Sequence, residues 1–207
     1  ANTGDFIKTL FEETNDKYVE PEHSAIFLKN DANKFIWWSE RDGYNHLYLY
    51  DIEGNLIKQL TKGEWIVTDY HGMNADETML YITATKDSPL ERHLYCVNIK
   101  NGKIKNLTQT AGYHNITPNK DCSIFIDDYS NTTTPREIRL IDGTGNLMDI
   151  LHAATDPLKD YKLGEMEMGK LEGNQGHDLY YRVFKPIDFD PNKKYPVVVY
   201  LYNGPHL

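Results

Sequence analysis

Few residues in this chain have types and spacing that could carry chemistry. His46 and His93 each open a His-Leu-Tyr run at equal places in a repeat. Equal places point to a structural role, with the imidazole bonding the backbone of a neighbouring repeat. A metal site needs converging ligands, and no His/Cys spacing supplies one, so neither a metal nor another cofactor is implied. Cys96 and Cys122 lie within or beside strand-like runs and read as buried thiols. Asp127-Asp128 follows a strand-like run and reads as a turn cap rather than a calcium site, and Glu12-Glu13 reads as a solvated face. Tyr202 ends an apolar run just before Asn203-Gly204-Pro205. A phenol donates a hydrogen bond without a formal charge to desolvate, but on spacing alone Tyr202 is an aromatic that caps a strand end. No Gly-x-Ser triplet occurs, so the Gly-x-Ser-x-Gly turn that exposes a nucleophilic serine is absent.

The elements that would position these residues are β-strands. The 207 residues are 40% hydrophobic and 26% charged, which excludes disorder over the whole length, and the 15 tyrosines favour pleated, half-buried surfaces. The net charge of −9 argues against nucleic acid as a partner. Lys100, Lys103, Lys105, Lys193 and Lys194 fall in short turn-like stretches rather than on one stripe. No segment approaches the length of a membrane span. Asn106, Asn115 and Asn131 each head an Asn-x-Thr triplet, which matters only in a eukaryotic secretory setting.

A repeat with a period of about 45 residues runs through the first three quarters. Phe35-Ile36-Trp37-Trp38, Leu80-Tyr81-Ile82-Thr83 and Ser123-Ile124-Phe125-Ile126 each follow a polar turn. A second strand begins at His46, His93 and Glu137, a glycine turn follows at Gly54, Gly102 and Gly145, and a third short strand begins at Leu56, Ile104 and Leu147. Trp65-Ile66-Val67-Thr68 and Tyr113-His114-Asn115-Ile116 lie between copies, and Tyr18-Val19-Glu20 takes the same part before the first. Four short strands per unit of this length describe a propeller blade. Trp37, Trp38 and Trp65 then pack between blades, and Asp87-Ser88-Pro89-Leu90-Glu91-Arg92 is a loop of the kind that reaches a pocket. Three blades cannot close a ring, so the chain is expected to be part of one. Phe6, Ile7, Leu10 and Phe11 have helical spacing, but the stretch equally fits the outer strand of a preceding blade.

From about Asp156 the repeat stops. Residues 166–171 and 178–185 read as a hairpin, and residues 195–202 as a strand buried on both faces, which implies a central sheet. The stretch Tyr195-Pro196-Val197-Val198-Val199-Tyr200-Leu201-Tyr202-Asn203-Gly204-Pro205, after a propeller and a hairpin, resembles the prolyl oligopeptidase family of serine peptidases. Within that family it is most similar to the dipeptidyl peptidase IV branch. Thr61-Lys62-Gly63-Glu64-Trp65-Ile66-Val67 and Tyr129-Ser130 with Pro135-Arg136-Glu137 are similar to its late blades.

The resemblance implies a mainly β fold. Residues 1–156 would be a partial β-propeller of about three four-stranded blades, and residues 157–207 the first strands of an α/β-hydrolase domain. It implies a parent enzyme that removes N-terminal dipeptides, preferring proline at the second position, from peptides with a free N-terminus. Tyr202 stands at the family's oxyanion-hole tyrosine, and Tyr18 lies near where its propeller lends side chains to the substrate pocket. The catalytic Ser, Asp and His and the amine-anchoring glutamates are expected outside this sequence, so the chain alone should be inactive. The flanks of Glu12-Glu13 do not match the glutamate motif. A periplasmic or extracellular location and a homo-oligomer complete the expectation. Rival readings are a tripeptidyl or acylaminoacyl peptidase of the same family and a non-catalytic propeller that binds proteins.

Overall fold

A computed structural model describes residues 4–20 and 23–201. Every regular element among them is a strand, and the chain divides into compact units of residues 1–155 and 156–207.

The first unit holds three four-stranded antiparallel sheets in simple up-and-down order. The first blade comprises β1 (Ile26–Phe27), β2 (Lys34–Ser39), β3 (His46–Asp51) and β4 (Leu56–Gln59). The second comprises β5 (Val67–Met73), β6 (Met79–Ala84), β7 (His93–Asn98) and β8 (Ile104–Asn106). The third comprises β9 (Tyr113–Pro118), β10 (Ile124–Ser130), β11 (Glu137–Asp142) and β12 (Leu147–Ala153). Registers repeat from blade to blade: Phe35 faces Tyr50, Leu80 faces Val97 and Phe125 faces Ile141.

Burial explains why the middle strands are apolar almost throughout rather than alternating. In β3 and β7 the first five residues are all buried, because the first and second blades are covered on both faces, whereas β12 of the third blade is exposed. The core lies between blades. Trp38, Leu49 and Leu60 of the first blade join Trp65, Val67, Ile82 and Tyr95 of the second in one cluster. Tyr81, Leu94 and Cys96 of the second join Ile116, Phe125 and Ile141 of the third in another.

Three local expectations are corrected. The first blade opens with Ile26–Phe27, not with residues 18–20, which are not a strand. Residues 6–11 form no helix; Phe11 instead stacks on Tyr50 at 4.6 Å and meets Trp37 edge-on at 5.4 Å. Glu13 is not on a solvated face, as shown below.

The turns between the first two long strands of the second and third blades are built alike. The Asn74 Oδ1 accepts from the Thr78 and Met79 amides, and the Asn119 Oδ1 from the Ser123 and Ile124 amides. Glu77 (φ 52°) and Cys122 (φ 54°) occupy the left-handed position that such turns require. Glu77 uses the strained position to reach the first blade, where its carboxylate accepts the Lys29 and Asn30 amides at 2.7 and 2.6 Å. Glu77→Gly would relieve roughly 1 kcal/mol of backbone strain but lose two charge-assisted bonds worth more. A net loss of about 1–2 kcal/mol in denaturant unfolding is expected; a stabilised variant would show the inter-blade bonds to be worthless.

The second unit contains an antiparallel hairpin, β13 (Met166–Glu172) and β14 (Asp178–Phe184), closed by the Gly173 amide donating to the His177 carbonyl at 2.7 Å. The apolar run that follows is not a strand over residues 195–201, and Val197 to Tyr200 are 73–95% exposed. A β-branched run becomes a strand only where a neighbour supplies the ladder, and no described residue pairs with it.

Candidate functional site

A cavity of about 600 Å³ lies against the first blade, with Tyr18, His23, Trp37, Trp38, Glu40 and Asn45 on its wall. Its floor is a polar cluster built on the end of β2. The Glu13 carboxylate accepts from the Trp37 indole at 3.0 Å and from the Ser39 hydroxyl, and Arg41 lies 3.5 Å away. Arg41 is held by further bonds. Its Nε donates to Ser39 Oγ at 2.8 Å, its Nη1 to the Tyr50 hydroxyl at 2.6 Å, and its guanidinium covers the Tyr48 ring at 4.4 Å. Burial, and then the Asp42 carboxylate, push the Tyr48 phenol above its ordinary titration range, so it stays a neutral hydrogen-bonding group. Glu13 therefore has its acceptor capacity committed to the blade itself. Its partners lie more than twenty residues away in sequence, so nothing local to residues 12–13 shows them.

A second cavity of about 380 Å³ lies at the joint between the second and third blades, beside a buried pair the sequence did not announce. His114 Nδ1 lies 2.9 and 3.0 Å from the two Asp127 oxygens, and Nε2 donates to the Thr110 carbonyl at 2.8 Å. Next to it, at 5.1 Å between ring centroids, His93 faces Glu91 at 2.8 Å through Nε2 and bonds the Thr108 carbonyl through Nδ1. Both rings grip the connection that leads from one blade into the next. Arg139 lies over the Tyr129 ring at 3.7 Å, and Tyr129 stacks on His114 at 4.8 Å.

The histidine of the first blade does the same work in simpler form. His46 Nε2 donates to the Gly63 carbonyl at 2.9 Å, while Nδ1 meets the Thr61 hydroxyl at 3.0 Å. Thr61 and Thr108 also accept the Leu47 and Leu94 amides, each at 2.9 Å. The repeated histidine thus binds the segment leaving its own blade, not a neighbouring blade's backbone.

The remaining candidates resolve into structural roles. Asp128 is paired with Arg136 at 2.8 and 2.6 Å. Cys96 and Cys122 are buried and unbridged; burial, and then Asp121, push the Cys122 thiol up to about 11, so it is a poor nucleophile at neutral pH. Trp38 and Trp65 pack between blades as expected, whereas Trp37 turns its indole N–H to Glu13 and lines the first cavity. Among the described residues no group of His, Cys, Asp or Glu could hold a metal ion, and no helix is long and apolar enough to cross a membrane. The Asp87–Arg92 loop is tied to the blade joint through Glu91 and through Arg92, whose amide donates to the Gly112 carbonyl at 3.2 Å. Tyr202 lies outside the described residues.

Comparison with known proteins places these blades. The family described as the dipeptidyl peptidase IV (DPP IV) N-terminal region matches residues 1–136. Human dipeptidyl peptidase 8 is 36% identical over an alignment covering 96% of this chain and 26% of its own length. Dipeptidyl peptidase 4 of Arthroderma otae is 29% identical, covering 88% of this chain and 24% of its own. Among solved structures, a candidate dipeptidyl aminopeptidase IV from Bacteroides ovatus superposes with a TM-score of 0.85 at 36% identity, over 93% of this chain and 30% of that one. Porphyromonas gingivalis dipeptidyl peptidase 4 gives 0.79 at 27% identity, over 89% and 26%. The chain therefore spans about a quarter of the relatives it matches, and its blades are of the β-propeller type found in them. It belongs to the dipeptidyl peptidase IV family, and its residues 1–136 belong to that family's N-terminal region.

Proposed function

We propose that the polypeptide to which this chain belongs is a serine exopeptidase that removes dipeptides from peptides with a free N-terminus, preferring proline at the second position. The observation that carries the reading is the family match over residues 1–136, supported by relatives named as dipeptidyl peptidases. In this reading residues 157–207 open the α/β-hydrolase domain. A serine outside this sequence attacks the scissile carbonyl carbon while a histidine takes its proton. The resulting oxyanion receives a hydrogen bond from Tyr202. The carbonyl then re-forms, the C–N bond breaks, the histidine gives its proton to the leaving amine, and water hydrolyses the dipeptidyl ester. The cavity bearing Tyr18 and Trp37 is the propeller surface assigned to the peptide. The sequence contains no Gly-x-Ser, so the 207 residues alone should not turn over substrate. A periplasmic or extracellular site of action and a homo-oligomeric enzyme belong to the same reading.

The test is release of a chromogenic amine from Gly-Pro-anilide by the full-length protein. Release is expected, with loss of turnover when the glycine amine is acetylated and none at all from the 207-residue chain. A folded full-length protein that spares Gly-Pro-anilide, or cleaves the acetylated substrate equally well, would move the activity to another branch of the family.

A further inference from the structure

Three buried histidines sit where one blade leads into the next, and their hydrogen-bond partners call for different numbers of protons. A neutral imidazole has one N–H and one bare nitrogen, so it serves one acceptor and one donor; an imidazolium has two N–H groups and serves only acceptors. His46 needs a single proton. Its Nε2 donates to the Gly63 carbonyl at 2.9 Å, and its Nδ1 lies 3.0 Å from the Thr61 hydroxyl. That hydroxyl accepts the Leu47 amide and still has its own hydrogen to give to the ring.

His93 and His114 face acceptors on both sides. His93 Nε2 lies 2.8 Å from the Glu91 carboxylate, and its Nδ1 lies against the Thr108 carbonyl, with the Thr108 hydroxyl farther off at 3.3 Å. His114 Nδ1 lies 2.9 and 3.0 Å from the two Asp127 oxygens, and its Nε2 lies 2.8 Å from the Thr110 carbonyl. Either neutral tautomer of either ring would aim a bare nitrogen lone pair at an oxygen lone pair. Imidazole is a stronger base than a carboxylate, so the additional proton of each pair belongs on the ring.

The surrounding charges accommodate this. The rings lie 5.1 Å apart between centroids, which sets two like charges side by side, but Glu91 and Asp127 supply one negative charge to each. Arg139 lies over the Tyr129 ring that stacks on His114, and it is paired with Glu137 at 2.6 Å. Arg92 turns Nη1 to the Pro89 and Glu91 carbonyls, Lys105 turns Nζ to the Thr144 carbonyl, and Asp87 takes the Asn106 side-chain amide. Tyr95 stands edge-on to His93 at 6.3 Å; burial, and then Asp87, push its phenol up, so it stays neutral.

We infer that His93 and His114 carry protons on both ring nitrogens in the folded protein, so that the joint between the second and third blades is a proton-held latch that alkali loosens, whereas the joint held by His46 is not. This stands apart from the proposed peptidase activity. The closed joint holds two protons that an opened joint, with its rings in water, gives up above the ordinary histidine range near pH 6.5. Raising the pH therefore favours opening, by up to about tenfold per pH unit for each such proton.

Two matched amides read the effect. The Val67 amide donates to the Asn45 carbonyl and the His114 amide to the Arg92 carbonyl, each acceptor standing one place before its blade's histidine. In the full-length protein, with exchange corrected for its intrinsic rise with pH, protection of the His114 amide should fall about tenfold or more between pH 7 and pH 9, while that of Val67 stays constant. Neutron diffraction from crystals grown in heavy water at neutral pD should place deuterons on both ring nitrogens of His93 and of His114, and on Nε2 alone of His46. Glutamine and asparagine offer a donor as well as an acceptor. Glu91→Gln with Asp127→Asn therefore lets each ring be neutral, and the double variant should lose the fall in protection. A ring nitrogen of His93 or His114 without its deuteron, a His114 amide as insensitive to pH as that of Val67, or a double variant that keeps the wild-type fall would each overturn the inference. The first two measurements use the wild-type protein, so they decide even where the double variant does not fold.

Discussion

Under the proposed mechanism, Tyr202→Phe in the full-length protein is expected to lower kcat for Gly-Pro-anilide by about 10²–10³, the usual loss on removing one oxyanion donor. The substitution deletes a single oxygen and keeps the ring, so the side chain's size and apolar character change little. The donor acts on charge that develops only as the carbonyl becomes tetrahedral. Its loss therefore belongs in kcat, with KM changing little. A strand-capping aromatic predicts a different result: Phe would do as well as Tyr, and any defect would appear in thermal stability. A kcat within a factor of about three of wild type would remove Tyr202 from the reaction, since a lost transition-state bond costs far more.

The repeat made the blades legible because burial on both faces leaves a strong trace. The runs at residues 35–38, 46–50, 80–83 and 93–97 are nearly unbroken apolar sequence, and glycine turns fall at fixed intervals between them. Where burial is one-sided or absent the trace fades. The two residues of β1 are half-buried and exposed, and Tyr18-Val19 is as apolar and β-prone as Ile26-Phe27, so composition does not separate the two stretches. The run at residues 195–202 shows the converse error. Its composition states what it would do beside a partner, and composition alone cannot supply the ladder. The polar clusters were hidden for a further reason. Glu13 meets Trp37 and Ser39 across a fold-back of the chain. Asp127 and Asp128 lie within β10 rather than capping a turn after it, and nothing local shows that β9 brings His114 alongside Asp127. A signal was available all the same: His114 stands in the linking strand at a place where alternation calls for an apolar residue between exposed Tyr113 and Asn115.

That buried pair supports the prediction of largest effect on stability. The His114 and Asp127 side chains are 0% and 2% exposed, and each satisfies the other. His114→Ala leaves the Asp127 carboxylate without its ring donor in a site that water does not reach, and Asp127→Ala leaves His114 Nδ1 without an acceptor. Breaking a buried pair from one side costs about 3–5 kcal/mol, because the remaining group keeps its desolvation penalty. The Thr110 carbonyl is orphaned as well in His114→Ala, which holds that variant at the upper end. Replacing both by apolar residues of similar size, His114→Leu with Asp127→Leu, removes the penalty along with the attraction. The double variant should therefore be more stable than either single alanine variant. Chemical denaturation of wild type, His114→Ala, Asp127→Ala and the double alanine variant as a double-mutant cycle gives the coupling directly, with the double leucine variant measured beside them. A coupling near zero would mean that water already screens the pair. A double leucine variant as unstable as the sum of the single ones would mean that the joint between the second and third blades needs the polar bonds themselves, above all the grip on the Thr110 carbonyl, and not merely a filled space.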